Sequence, residues 1–256
     1  MFTAERSLVT GALTPERQVG LQLWGSPLAD LAPKHKDMVA YSLGVFNGNG
    51  RNITANDNGN FMYAGRVVVT PFHDKLLDQD VKWSIGLDGL ISTYGKGTRI
   101  GQTGNLAFNT TLGDGSLTGF MVPGSEAESR AWGVDQTLRF GPFDLIAEYL
   151  QEQVKPVNNA AFTPFTASGY WIEGAYSFNV CKRKAQVVAK WESFNPGQTA
   201  NDGIQSITGG LNYYIKGDHL KLMLDYIHTW SDFRSANPAL GQDQFNELIA
   251  RAQLLF

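Results

Sequence analysis

Charged side chains recur singly along this chain, most of them set between apolar neighbours. The basic ones are Arg66, Lys82, Arg139, Lys190, Lys221 and Arg251, and the acidic ones are Asp88, Asp135, Asp144, Glu148, Glu173, Glu192, Asp225 and Glu247. Lys82 and Asp88 interrupt VKWSIGLD, Glu148 interrupts LIAEYL, and Lys190 and Glu192 interrupt VVAKWE. Charges at such spacing are poor acid–base pairs, which need two groups within reach of one reacting atom. Arranged as rings around a passage they set a field instead, with Arg and Lys rings favouring anions and Asp and Glu rings favouring cations. The acids outnumber the bases, so the count by itself does not demand an anion preference. Pairing with opposite charges on neighbouring strands is the competing use of the same residues.

Other chemistry is poorly represented. Of the four histidines, His35, His73 and His219 fall in predicted turns, and His228 follows Asp225 by three residues. That places two candidates in one neighbourhood, yet no spacing identifies a nucleophile with its base. TYGKGT at 93–98 fails as a phosphate loop, because Leu90 stands where the motif needs Gly and Gly97 follows Lys96 where it needs Ser or Thr. Cys181 is the single cysteine, which rules out an intrachain disulfide, and it reads as a small turn residue. A net charge of -3 argues against a nucleic-acid partner. We expect no enzyme activity, no metal and no cofactor.

The elements that carry the charges have the period of strands. Val19, Leu21 and Leu23 share a face, as do Val39, Tyr41, Leu43 and Val45, then Phe61, Tyr63, Val67 and Val69, then Val81, Trp83, Ile85 and Leu87. The pattern repeats near 132–138, 143–149, 170–178, 187–192, 206–215 and 220–226, and again in the terminal ELIARAQLLF. About eleven strands result, each long enough to cross a bilayer at a tilt. No apolar run reaches the roughly 18 residues of a membrane helix, but a membrane barrel hides its apolar face in alternation. Compact connections at 140–143, 178–184 and 215–219 take turns with long ones at 47–60, 93–129, 151–168 and 231–244; those at 25–37 and 71–80 look less compact. Phe140, Phe143, Phe178, Tyr213 and Phe256 lie beside short turns or the C-terminus, where rings suit a headgroup boundary. In 93–129, Lys96 and Arg99 could turn inward, although an exposed loop is the expected state.

ERSL at 5–8, RQVGLQLWG at 17–25, YSLGVFNGNG at 41–50, AGRVVVTPF at 64–72, GYWIEGAYSF at 169–178, QVVAKWESFNP at 186–196, ITGGLNYYI at 207–215 and ARAQLLF at 250–256 together resemble the phosphate-selective porin O and P family. The resemblance implies a transmembrane antiparallel β-barrel of about sixteen strands with an aqueous lumen, generally a homotrimer in the outer membrane of Gram-negative bacteria, with both termini periplasmic. ELIARAQLLF is similar to the strand signal read by the barrel-assembly machinery, carried by Leu248, Ala250, Ala252, Leu254 and Phe256. If that strand runs toward the periplasm, counting back makes the strand at 17–25 run the same way and sends residues 1–16 beyond the long-loop rim. Because single-chain bacterial barrels have even strand numbers, about five N-terminal strands and an export signal are expected to be missing. The family's selectivity is associated with basic residues at a loop constriction and along the wall. Much of that constriction would fall in the missing part, so no phosphate-site residue is assigned.

The expectation is thus all-β, with residues 1–256 as one barrel domain in contact with outer-membrane lipid. Arg66, Lys82, Arg139, Lys190, Lys221, Arg251, Asp88, Asp135, Glu148, Glu173, Glu192, Asp225 and Glu247 are the expected pore lining. The function implied is a porin for passive ion and solute transport, passing small hydrophilic or anionic solutes such as phosphate. A barrel hydrolase and a soluble β-rich binding or structural protein are the competing readings.

Overall fold

A computed structural model describes residues 2–15, 17–31, 36–48, 56, 58–94, 126–157 and 163–255. Eleven strands form one antiparallel sheet in sequence order. They are β1 (Gly20–Gly25), β2 (Val39–Phe46), β3 (Met62–Leu76), β4 (Gln79–Tyr94), β5 (Ala127–Phe140), β6 (Phe143–Pro156), β7 (Phe165–Val180), β8 (Arg183–Asn195), β9 (Ile204–Lys216), β10 (Leu220–Ser231) and β11 (Gln244–Leu254). Among the described residues β1 and β11 each have one neighbour. The number of strands agrees with the alternation in the sequence, but the strands run longer: β6 and β7 take in 151–156 and 165–168, which read as part of a long connection, and β4 and β5 likewise take in 93–94 and 127–129.

Register explains how the pattern becomes two unlike faces. In an antiparallel sheet, directly opposed residues point to the same side. Arg66 opposes Asp88 and Asp88 opposes Gly133, while Asp135 opposes Glu148 and Glu148 opposes Trp171. Glu173 opposes Lys190, Lys190 opposes Thr208, and Asp225 opposes both Gly210 and Ile249. One continuous polar side, the inner face, therefore runs through the sheet. The other side presents apolar residues to the surroundings, Leu21 at 83% and Leu248 at 72% exposure among them. In water that face would be strongly unfavourable, whereas in hydrocarbon it is the expected one.

Tight turns join the strands at one rim. Leu77 and Asp78 have φ of 52° and 59°, and Cys181 and Lys182 have 49° and 63°. These are two-residue hairpins with both residues left-handed, whose twist matches that of the flanking strands. The connection at 71–80, which looks loose in sequence, is therefore as short as the others. β3 continues through Pro71 by a register shift between Val69 and Phe72, where a bulge accommodates a residue that cannot donate to the ladder. Lys96 and Arg99 lie outside the described residues, as does His35.

The N-terminal segment departs from its expected course. Described residues 2–15, instead of extending past the long-loop rim, turn back onto the inner face. Ser7 caps α1 (Leu8–Leu13), its side chain accepting from the Val9 and Thr10 amides. Val9, Ala12 and Leu13 then pack among Ala127, Leu150, Val154, Phe165, Ala167 and Phe194. The physical reason is plain: an apolar patch on an otherwise polar face is covered by the apolar side of a short helix.

Candidate functional site

The inner face under the N-terminal segment is a set of acceptors matched to main-chain donors. Glu173 accepts from the Phe2 amide at 3.3 Å and the Thr3 amide at 2.7 Å. Asp225 accepts from the Ala4 amide at 2.5 Å, and Glu192 from the Leu8 amide at 2.6 Å. Glu148 Oε2 accepts from the Thr10 hydroxyl and from Trp171 Nε1, each at 2.6 Å. On β11, Arg251 donates to the Ala4 carbonyl and pairs with Glu5 at 2.5 Å. Asn212 Nδ2 donates to the Phe2 carbonyl at 2.7 Å. Strands from β6 to β11 thus hold a segment of extended chain and one helical turn or two.

All the expected lining residues register onto this face, but in different company. Arg66 Nη1 lies 2.8 Å from Asp88 and 2.6 Å from Asp135, bridging β3, β4 and β5. Arg139 pairs with Asp144 across the short-turn end of β5 and β6 at 2.9 Å. Lys190 Nζ is 3.2 Å from Glu192, and both are buried. Lys221, also buried, has its ammonium over the Tyr214 ring at 5.4 Å, with Lys184 over the same ring at 5.0 Å. Lys82 is exposed, in register with Arg139, and Glu247 is in register with Ile227. Beside the Arg66 group, a pocket of about 200 Å³ opens between Leu13, Thr14 and Pro15 of the segment and the walls of the early strands.

Some contacts had no signal in the charge pattern. Trp171 is a polar-side residue through its indole N–H, and Ser129 donates to a fully buried Glu152. Thr3, Ala4 and Leu8 act through amides that every residue type carries. Only Ser7 followed by Leu8, Val9, Ala12 and Leu13 could have marked a capped amphipathic turn. His228 and Asp225, neighbours in sequence, belong to opposite faces of β10: Asp225 is under the segment, and His228 Nδ1 meets Asn246 Oδ1 at 2.6 Å on the outer side. Among the described residues no group of His, Cys, Asp and Glu is placed to hold a metal. In the C-terminal strand, Leu248, Ala250, Ala252 and Leu254 face outward, and Phe256 is outside the described residues.

A single antiparallel sheet that is apolar outside, charged inside, and carries a chain segment on its inner face defines the wall of an outer-membrane β-barrel. The chain belongs to the phosphate-selective porin O and P family, whose description matches residues 30–256. It is 25% identical over 247 residues to Porin O of Pseudomonas aeruginosa, an alignment covering 84% of this chain and 54% of that protein. The chain spans about half the length of this curated relative. Its location is the bacterial outer membrane.

Proposed function

We propose that this chain forms the wall of a water-filled channel for passive diffusion of small hydrophilic solutes, with anions such as phosphate preferred. The observation that carries the reading is the two-faced sheet: Arg66, Lys82, Arg139, Lys190, Lys221 and Arg251 share with Asp88, Asp135, Glu148, Glu173, Glu192, Asp225 and Glu247 the side opposite the exposed leucines. Water follows charge to that side, and lipid follows the apolar side. The name of Porin O, a relative over most of this chain, supports the same reading. A channel rather than an enzyme is favoured because the titratable neighbours His228 and Asp225 are separated by the sheet itself.

Three further parts belong to the proposal. The channel is a homotrimer, its outer face meets outer-membrane lipid, and β11 is the strand that the barrel-assembly machinery reads. Planar-bilayer recording across a salt gradient, with phosphate titrated as a blocker of chloride current, tests the main claim. Ohmic channels with an anion-directed reversal potential and block by phosphate are expected. No ohmic channel would sink the porin reading, and a cation-directed potential would sink the anion preference. Chemical cross-linking in membranes tests the trimer.

A further inference from the structure

Glu148, Glu173, Glu192 and Asp225 look from the sequence like carboxylates offered to passing cations. In the fold each of them accepts a hydrogen bond from the N-terminal segment, at 2.5–2.7 Å for the shortest bond of each. Glu173, Glu192 and Asp225 are buried at 0%, 4% and 1% exposure. We infer that these four carboxylates are positioning residues that set the ion preference of the channel through this segment: they hold residues 2–10 on the wall and are covered by it. The inference rests on the channel reading and specifies how that channel discriminates.

Hydrogen bonds to a charged acceptor are the stronger kind, and their lone pairs are then directed at fixed donors. A carboxylate held under the segment and bonded to its fixed donors is poorly placed to replace the hydration shell of a permeating cation. The segment in turn depends on these acceptors, because a helix as short as α1 does not persist on its own and residues 2–5 pair with no strand. Compensating charge is built into the wall, from Lys190 beside Glu192 and from Arg251, which also grips Glu5 and Ala4. With the four covered acids and the buried Lys190 and Lys221 set aside, Arg66, Lys82, Arg139 and Arg251 stand against Asp88, Asp135, Asp144 and Glu247. The acid excess counted from the sequence is gone. Close packing makes the cover tight: a Cβ on Gly169 would come within 2.8 Å of Val9.

The test uses the sign of a charge effect. In the full chain, the pair Glu173→Gln with Asp225→Asn removes two negative charges but loosens the segment and bares Glu148 and Glu192. The reversal potential should therefore move toward cations and conductance should rise. In a second background, residues 2–13 are replaced by a short Gly–Ser linker, so all four carboxylates are bare. There the same two substitutions should move the potential toward anions. A shift toward anions in both backgrounds, or none in the intact channel, overturns the inference. Variants are compared only where they keep the heat-modifiable migration of a folded barrel, and Asp225→Asn alone serves if the pair does not fold. A second readout is independent of conduction. With Cys181→Ser and Thr3→Cys, labelling by a bulky maleimide should be slow in the parent and roughly tenfold faster with Glu173→Gln. Equal labelling rates also overturn it. A complete lack of current in every variant would defeat the channel reading, whereas the labelling would still report on the anchors.

Discussion

Arg66 illustrates what a single inner-face charge does. Its guanidinium lies between Asp88 and Asp135 at 2.8 and 2.6 Å, so replacing it with Gln leaves two like charges side by side on the face beside the 200 Å³ pocket. Stability should fall by about 1 kcal/mol or less, because the group is partly exposed and screened. Selectivity should change more: the reversal potential in a salt gradient is expected to move toward cations, and an unmoved potential would show that the triad only braces the wall. A steric test at the same scale is Gly169→Val. The added carbons would meet Val9 and the Ser193 carbonyl at 2.8 Å, which costs roughly 1–3 kcal/mol of packing and should lower the urea midpoint while raising conductance noise as α1 is displaced. The charged residues themselves were legible in the sequence, because alternation fixes which side of a strand each occupies. Their partners were not. Glu173 meets the amides of Phe2 and Thr3, and an amide has no signature in a residue string.

Strands were the readable elements, since period-two patterning has little competing explanation, and the middles of β4, β6 and β7 fall where it predicts, while their long-loop ends run on into 93–94, 151–156 and 165–168. Several elements escaped, short helical turns at Leu28–Leu31, Asp232–Ala236 and Pro238–Leu240 among them, and two show why. The turn at Leu77–Asp78 was obscured because leucine rarely adopts a left-handed φ, which costs a residue with a Cβ roughly 1–2 kcal/mol; the hairpin accepts that cost to keep the twist of β3 and β4. α1 escaped because six residues give too short a run for a 3.6-residue period to stand out. The first miss yields a prediction. Replacing Leu77 by Asn and Asp78 by Gly supplies the residues that a two-residue hairpin of this type prefers, and should stabilise the barrel by about 1 kcal/mol, read as a higher urea midpoint in lipid vesicles with conductance unchanged. The equivalent change at Cys181 and Lys182, whose φ values are 49° and 63°, should act in the same direction. Loss of stability at both turns would mean that their side chains matter more than their backbone.

At the scale of the whole molecule, one parity decides everything: even positions in β10 and β11 face lipid and odd positions face the segment, and the register carries that assignment through the sheet to β1. Two arginine substitutions test it. Leu224 is 45% exposed on the outer face, between Leu211 and Ala250, and Leu224→Arg puts a charge where the hydrocarbon should be. The cost expected near the middle of a bilayer is about 2–4 kcal/mol, enough to lower the urea midpoint markedly and to reduce the heat-modifiable fraction recovered from the outer membrane. Gln22 is exposed on the inner face of β1, opposite Gly44. Gln22→Arg adds the same charge to the watered side and should change stability by only about 0.5 kcal/mol. Equal losses from the two variants would mean that the apolar face is not the lipid face, and the reading of β11 as a membrane strand would fall with it. Unequal losses in the stated order would be hard to obtain from a soluble sheet, in which an arginine replacing an exposed leucine gains hydration instead of losing it.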